Sequence, residues 1–70
     1  MKETISNNVY TLRGEHSLTQ EEFALRIGVS RQTVIAIEKG NYVPSVLLAL
    51  KIASVFKKQV AEIFYITYEK

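Results

Sequence analysis

Five residues within nine positions carry most of the recognisable chemistry of this chain: Arg31, Gln32, Ile35, Ala36 and Lys39. At about 100° per residue they fall on one arc of a helix, with Val34 and Ile37 on the opposite arc and Thr33 and Glu38 flanking them. A guanidinium pairs bidentately with guanine, a primary amide pairs with adenine, and an apolar side chain touches the methyl group of thymine. A helix face of this make-up suits the major groove of duplex DNA better than it suits plain solvent. Ile35 has two readings, a methyl contact of that kind or a singly exposed apolar residue, and the rest of the arc does not choose between them.

Such a face needs an element that presents it. The stretch Gln20–Gly40, QEEFALRIGVSRQTVIAIEKG, supplies one. Phe23, Ala24 and Ile27 share one face of a short helix, and Val34 and Ile37 share one face of the next. Gly28 ends the first helix in the left-handed conformation, and Ser30 caps the second through its hydroxyl. Ala24, one turn before the glycine, lets the two backbones approach, and Val29 tucks into the angle between them. This is the pattern of a helix-turn-helix, with an ordinary helical hairpin as its competitor. Thr19 and Glu22 have the spacing of a capping box. The helix start behind them offers free N–H groups to a phosphate, assisted by the Gln20 amide, with Glu21 and Glu22 expected to turn away from DNA.

The remaining chain supplies a core. Asn7 or Asn8 caps a first helix with a sparse apolar stripe at Val9 and Leu12 and with His16 at its boundary. After the loop Asn41–Pro44, Ser45 caps a helix over Val46–Phe56 that is apolar nearly all round: Val46, Ala49, Leu50, Ala53 and Phe56 cover much of its circumference, with Leu47, Leu48, Ile52 and Val55 on further positions, so it is either central to the core or shared with a partner. Lys57 follows where a glycine would be easier. A fifth short helix runs from Val60 to Phe64. The β-prone segments 1–6 and 65–68 read as a tail or as two strands that have only each other to pair with.

Seventy residues make one domain. There is no cysteine for a disulfide or a thiolate-bound metal, and the single histidine has no second ligand beside it. No glycine-rich phosphate loop or catalytic triad is recognisable, so neither an enzyme nor a cofactor or small-molecule ligand is expected. Nine Lys plus Arg against seven Asp plus Glu leave a mild excess of positive charge. No segment is long and apolar enough to cross a membrane, and the first residues lack the core of a signal peptide, so a cytoplasmic location is expected. A 47% share of hydrophobic residues suggests apolar surface shared with another chain.

The words LTQEEFA, IGVSRQTV, IEKG, NYVPS and LALKIA, together spanning about Val9 to Phe64, resemble the Cro/cI-type (Xre) helix-turn-helix regulators in their small stand-alone form. The resemblance implies an all-α, five-helix fold like that of lambda repressor, with a short antiparallel sheet where the terminal segments pair. It implies a homodimer bound to a two-fold operator in double-stranded DNA. Position by position, it implies base reading by Arg31, Gln32, Ile35 and Ala36. Phosphate binding falls to Gln20, Thr33, Lys39, Asn41 and Ser45, and a structural ion pair to Arg13 and Glu38. The helix-turn-helix spans about 20–39 and the dimerising part about 58–70, through Val60, Ile63, Phe64, Tyr65, Ile66 and Tyr68. A repressor is expected. The alternatives are an antitoxin or restriction–modification controller with the same DNA chemistry, and a protein-interaction module that has lost DNA.

Overall fold

A computed structural model describes residues 2–69 and runs β1 (Lys2–Asn7), α1 (Val9–Glu15), α2 (Gln20–Ile27), α3 (Arg31–Glu38), α4 (Val46–Phe56), α5 (Val60–Ile63) and β2 (Phe64–Glu69). The five helices and the two-stranded sheet are those expected, except that α5 stops at Ile63 and Phe64 already opens β2. The strands are antiparallel, with Ile5 opposite Ile66 and Thr4 opposite Thr67. Side chains alternate across a strand. Phe64, Ile66 and Tyr68 therefore share one face of the ribbon with Ile5, while Tyr65 and Thr67 lie on the other beside Thr4 and Ser6. The second face is polar: the Thr67 hydroxyl lies 2.7 Å from that of Thr4 and 3.0 Å from that of Ser6.

The core is a single cluster. Val9 and Leu12 from α1, Phe23, Ala24 and Ile27 from α2, Val34 and Ile37 from α3, Leu48, Ile52, Ala53 and Phe56 from α4 and Ile63 from α5 are all buried in it. Phe23 stacks on Phe56 at 5.0 Å between ring centroids. The buried face of α4 is thus Leu48, Ala49, Ile52, Ala53 and Phe56, while Val46, Leu47 and Leu50 are exposed. The helix is apolar on both sides, and its periodicity does not say which side turns inward.

The start of α1 also differs in detail. Asn8 makes no capping bond with its side chain. Instead the Asn7 carboxamide oxygen accepts the Val9 N–H at 3.0 Å, while its nitrogen donates to the Ile37 carbonyl at 2.9 Å. One side chain thereby fastens β1, α1 and the end of α3 together. Lys57 sits at φ 54, ψ 45 to end α4, the left-handed geometry that its position without glycine demanded. No helix among the described residues is long and apolar enough to cross a membrane.

Candidate nucleic-acid interface

The local chemistry that builds the α2–α3 unit is visible bond by bond. Thr19 Oγ1 accepts the Glu22 N–H at 3.1 Å, and Glu22 Oε1 accepts the Thr19 N–H at 2.9 Å, closing the capping box. The Thr19 backbone N–H first, and the Thr19 side chain beside it second, favour the ionised Glu22 carboxyl and hold its pKa below the ordinary value. Gly28 takes φ 75 at the end of α2, and the Val29 N–H reaches back to the Ala24 carbonyl at 3.0 Å. Ser30 Oγ accepts the Thr33 N–H at 3.2 Å to start α3. The glycine thus turns the chain, and the serine restarts it two residues later.

Along α3, Arg31 and Gln32 are exposed, Ile35 and Ala36 are half-exposed, and Val34 and Ile37 are fully buried. The recognition arc read from the sequence is therefore an outer surface of the fold. Lys39 and Asn41, beyond the end of α3, and Ser45, at the start of α4, are exposed as well. Ser45 Oγ accepts the Leu48 N–H at 3.1 Å, which leaves its own hydroxyl proton to donate outward. The Thr33 hydroxyl is less available, lying 3.1 Å from that of Ser30.

Behind the arc stands an ionic tie. Arg13 Nε meets Glu38 Oε2 at 2.6 Å, with only 13% and 6% of the two side chains exposed. A second guanidinium nitrogen donates to Glu38 Oε1 at 3.3 Å and the third to the Leu18 carbonyl at 2.8 Å. The hydrogen bond to Glu38 raises the Arg13 pKa. The same Glu38 Oε1 accepts from Gln20 Nε2 at 3.1 Å, a bond that sequence spacing did not announce. Gln20 is half-buried, and with Arg13, Thr19, Glu21 and Arg31 it lines an open cleft beside the start of α3. Glu21, expected to turn away, is a wall of this cleft, because the α2 start faces it across one turn.

The C-terminal residues divide. Ile63, expected at a dimer surface, is fully buried in the protomer's own core, because α5 is a single turn that must close the bottom of that core. Val60 and Phe64 are half-buried against the same cluster. Only Tyr65, Ile66 and Tyr68 remain exposed, and the Tyr65 hydroxyl donates to Asn8 Oδ1 at 3.3 Å.

A family model described as Helix-turn-helix matches residues 9–63. The chain belongs to this family, in its Cro/cI (Xre) type. An uncharacterised HTH-type transcriptional regulator of Methanocaldococcus jannaschii is 52% identical over 60 residues, covering 86% of this chain and 91% of that one. A cryptic-phage transcriptional repressor of Vibrio cholerae is 38% identical over 58 residues, 83% of this chain but 52% of the repressor. Among solved structures, the restriction–modification controller C.AhdI of Aeromonas hydrophila superposes with a TM-score of 0.71 at 30% identity, over 77% of this chain and 82% of its own. The molecule is a transcriptional regulator with a helix-turn-helix DNA-binding fold.

Proposed function

We propose that the chain acts as a sequence-specific repressor that binds, as a homodimer, a two-fold operator near a promoter. The observation that carries this reading is the outer arc of α3, where Arg31 and Gln32 stand exposed at the helix start with Ile35 and Ala36 behind them. Arg31 and Gln32 supply hydrogen-bonded readout, and Ile35 and Ala36 supply apolar contact to bases. Gln20, Thr33, Lys39, Asn41 and Ser45 position the domain on phosphates on either side. A single small domain makes few contacts; two copies on symmetric half-sites double them and convert the second binding event into an intramolecular one. Occlusion of a promoter then requires nothing beyond occupancy, and the Vibrio cholerae relative is a repressor by name. The likeness to C.AhdI favours a second reading, a controller of a restriction–modification system, with the same DNA chemistry and a different genomic neighbour.

The test is a gel shift and footprint on the duplex immediately upstream of the chain's own gene. Arg31→Ala combined with Gln32→Ala abolishes the protected site while leaving the circular dichroism spectrum and melting temperature unchanged, because both side chains are exposed. With Lys39 of two chains near two phosphates, affinity falls about tenfold between 50 and 200 mM salt. Protection that survives the double substitution refutes the assigned arc.

A further inference from the structure

Among the described residues, half of the ten exposed large hydrophobic residues lie between positions 42 and 50, away from the outer arc of α3. Tyr42, Val43, Val46, Leu47 and Leu50 are 45%, 58%, 77%, 66% and 55% exposed. At about 100° per residue, Val46, Leu50, Ser54, Leu47 and Lys51 cross one side of α4 in that order. The buried set, Leu48, Ile52, Phe56, Ala49 and Ala53, occupies the opposite side. Helix α4 is therefore apolar twice over, once for its own core and once toward solvent. With full exposures on the order of 150–200 Å² per residue, the five exposed fractions amount to about 500 Å². That lies in the upper part of what a monomer leaves bare, and it approaches the per-partner area at the low end of stable interfaces.

We infer that this face of α4, with Tyr42 and Val43 of the preceding loop, is the two-fold interface that joins two copies of this chain. A symmetric dimer sets a patch against itself, so the patch must tolerate its own image. This one does: α4 and the loop before it contain no acidic residue, and Lys51 lies at the edge of the arc. Ser54 is small and exposed between Leu50 and Leu47, which lets two α4 helices approach at the centre. The rival surface, the terminal ribbon, offers about half as much. Tyr65 (41%) points to one side of it and Ile66 (53%) and Tyr68 (58%) to the other. The position also suits the regulator reading, on which the inference rests only for its two-fold target. The connector 39–45, stiffened by Pro44, joins the end of α3 directly to this face, so an axis through the face carries two recognition helices on short arms.

Sedimentation velocity of the full chain tests this without DNA. The wild type sediments as a dimer at about 100 μM, and Leu47→Glu combined with Leu50→Glu makes it a monomer with an unaltered circular dichroism spectrum, as expected for exposed positions. Ile66→Glu combined with Tyr68→Glu leaves it a dimer. Because the chain has no cysteine, Ser54→Cys adds an independent readout: mild oxidation gives a covalent dimer from Ser54→Cys and none from Thr67→Cys. On the upstream duplex, the Leu47→Glu, Leu50→Glu variant binds about 100-fold more weakly while still depending on Arg31. A wild type that stays monomeric at 100 μM, or a dimer dissolved by the ribbon substitutions and not by those on α4, overturns the inference and leaves the α4 face to a different protein. A dimer that binds no DNA leaves it standing and refutes the regulator reading instead.

Discussion

Replacing Glu38 by alanine removes three hydrogen bonds at once: those from Arg13 Nε, from a second Arg13 nitrogen and from Gln20. The Arg13 side chain that remains is 13% exposed and keeps the Leu18 carbonyl and the face of the Tyr10 ring, 5.3 Å from the guanidinium carbon. Removing one member of a buried pair costs about 3–5 kcal/mol, because the other charge is left without compensation. Arg13 retains one carbonyl and some access to water, which places the loss near the low end, about 3 kcal/mol. A chain of this length has about 4–10 kcal/mol in total, so the variant loses a large share of its stability. The melting temperature falls by about 12–24 °C. Urea denaturation followed by circular dichroism measures the loss, and an unchanged slope against urea shows that the compared states are the same. Arg13→Met alone costs a similar amount, since the part-buried Glu38 carboxylate is left with Gln20 as its remaining side-chain donor among the described residues. The double variant costs little more than either single one, giving a coupling of about 2–3 kcal/mol. A loss below about 0.5 kcal/mol, or additive single losses, places the pair in the class of solvated surface pairs and refutes the tie between α1 and α3.

Other positions give sharper local tests. Lys57→Gly relieves a left-handed residue and stabilises the protein by about 1 kcal/mol, read as a higher urea midpoint; a lower midpoint refutes backbone strain at φ 54. Gly28→Ala costs about 1–2 kcal/mol through backbone conformation alone, since nothing lies within 4 Å of the added Cβ; a neutral result means the turn at φ 75 relaxes. The Glu22 carboxyl has a depressed pKa in the folded chain, so its contribution is present above the ordinary glutamate range and is lost as pH falls through the folded value. The melting temperatures of wild type and Glu22→Gln therefore converge in acid; a gap that persists at pH 2–3 refutes the ionised capping box.

The elements legible in the sequence are those whose local chemistry and global packing agree. Thr19 with Glu22, Gly28 and Ser30 each allow one local geometry, and the apolar spacing of Phe23, Ala24 and Ile27 points the same way, so α2, the turn and α3 could be placed residue by residue. Helix α4 had correct ends, but its inner side stayed open, because Val46 and Leu50 are as apolar as Leu48 and Ile52. Only tertiary packing, in which Leu48 and Ile52 meet Phe23 and Ile37 in one cluster, decides which side is inner. The last residues failed for a related reason. Ile63 and Ile66 are the same residue type three positions apart, yet one closes the core and the other projects on a ribbon. The difference lies in where α5 gives way to β2, and helix ends are weakly encoded over a single turn.

The bond between Gln20 and Glu38 joins the two halves of this picture. A glutamine amide has two N–H donors. One is held by Glu38 at 3.1 Å, which fixes the plane of the amide and leaves the second unused by that bond, in a side chain that lines the cleft with Arg31. On the proposed reading, a phosphate received there meets a donor that has already lost its rotational freedom, so less entropy is spent on binding. The carboxylate responsible is the one that ties α1 to α3, so the fold and the Gln20 amide depend on a single side chain. Its bonds to Arg13 and Gln20 account for the inward direction of Glu38. It also means that weakened DNA binding in a Glu38 variant is not evidence of a contact between Glu38 and DNA. On the proposed reading the effect acts through Gln20 and through the stability lost with Arg13, and Gln20→Ala, which spares the ion pair, separates the two.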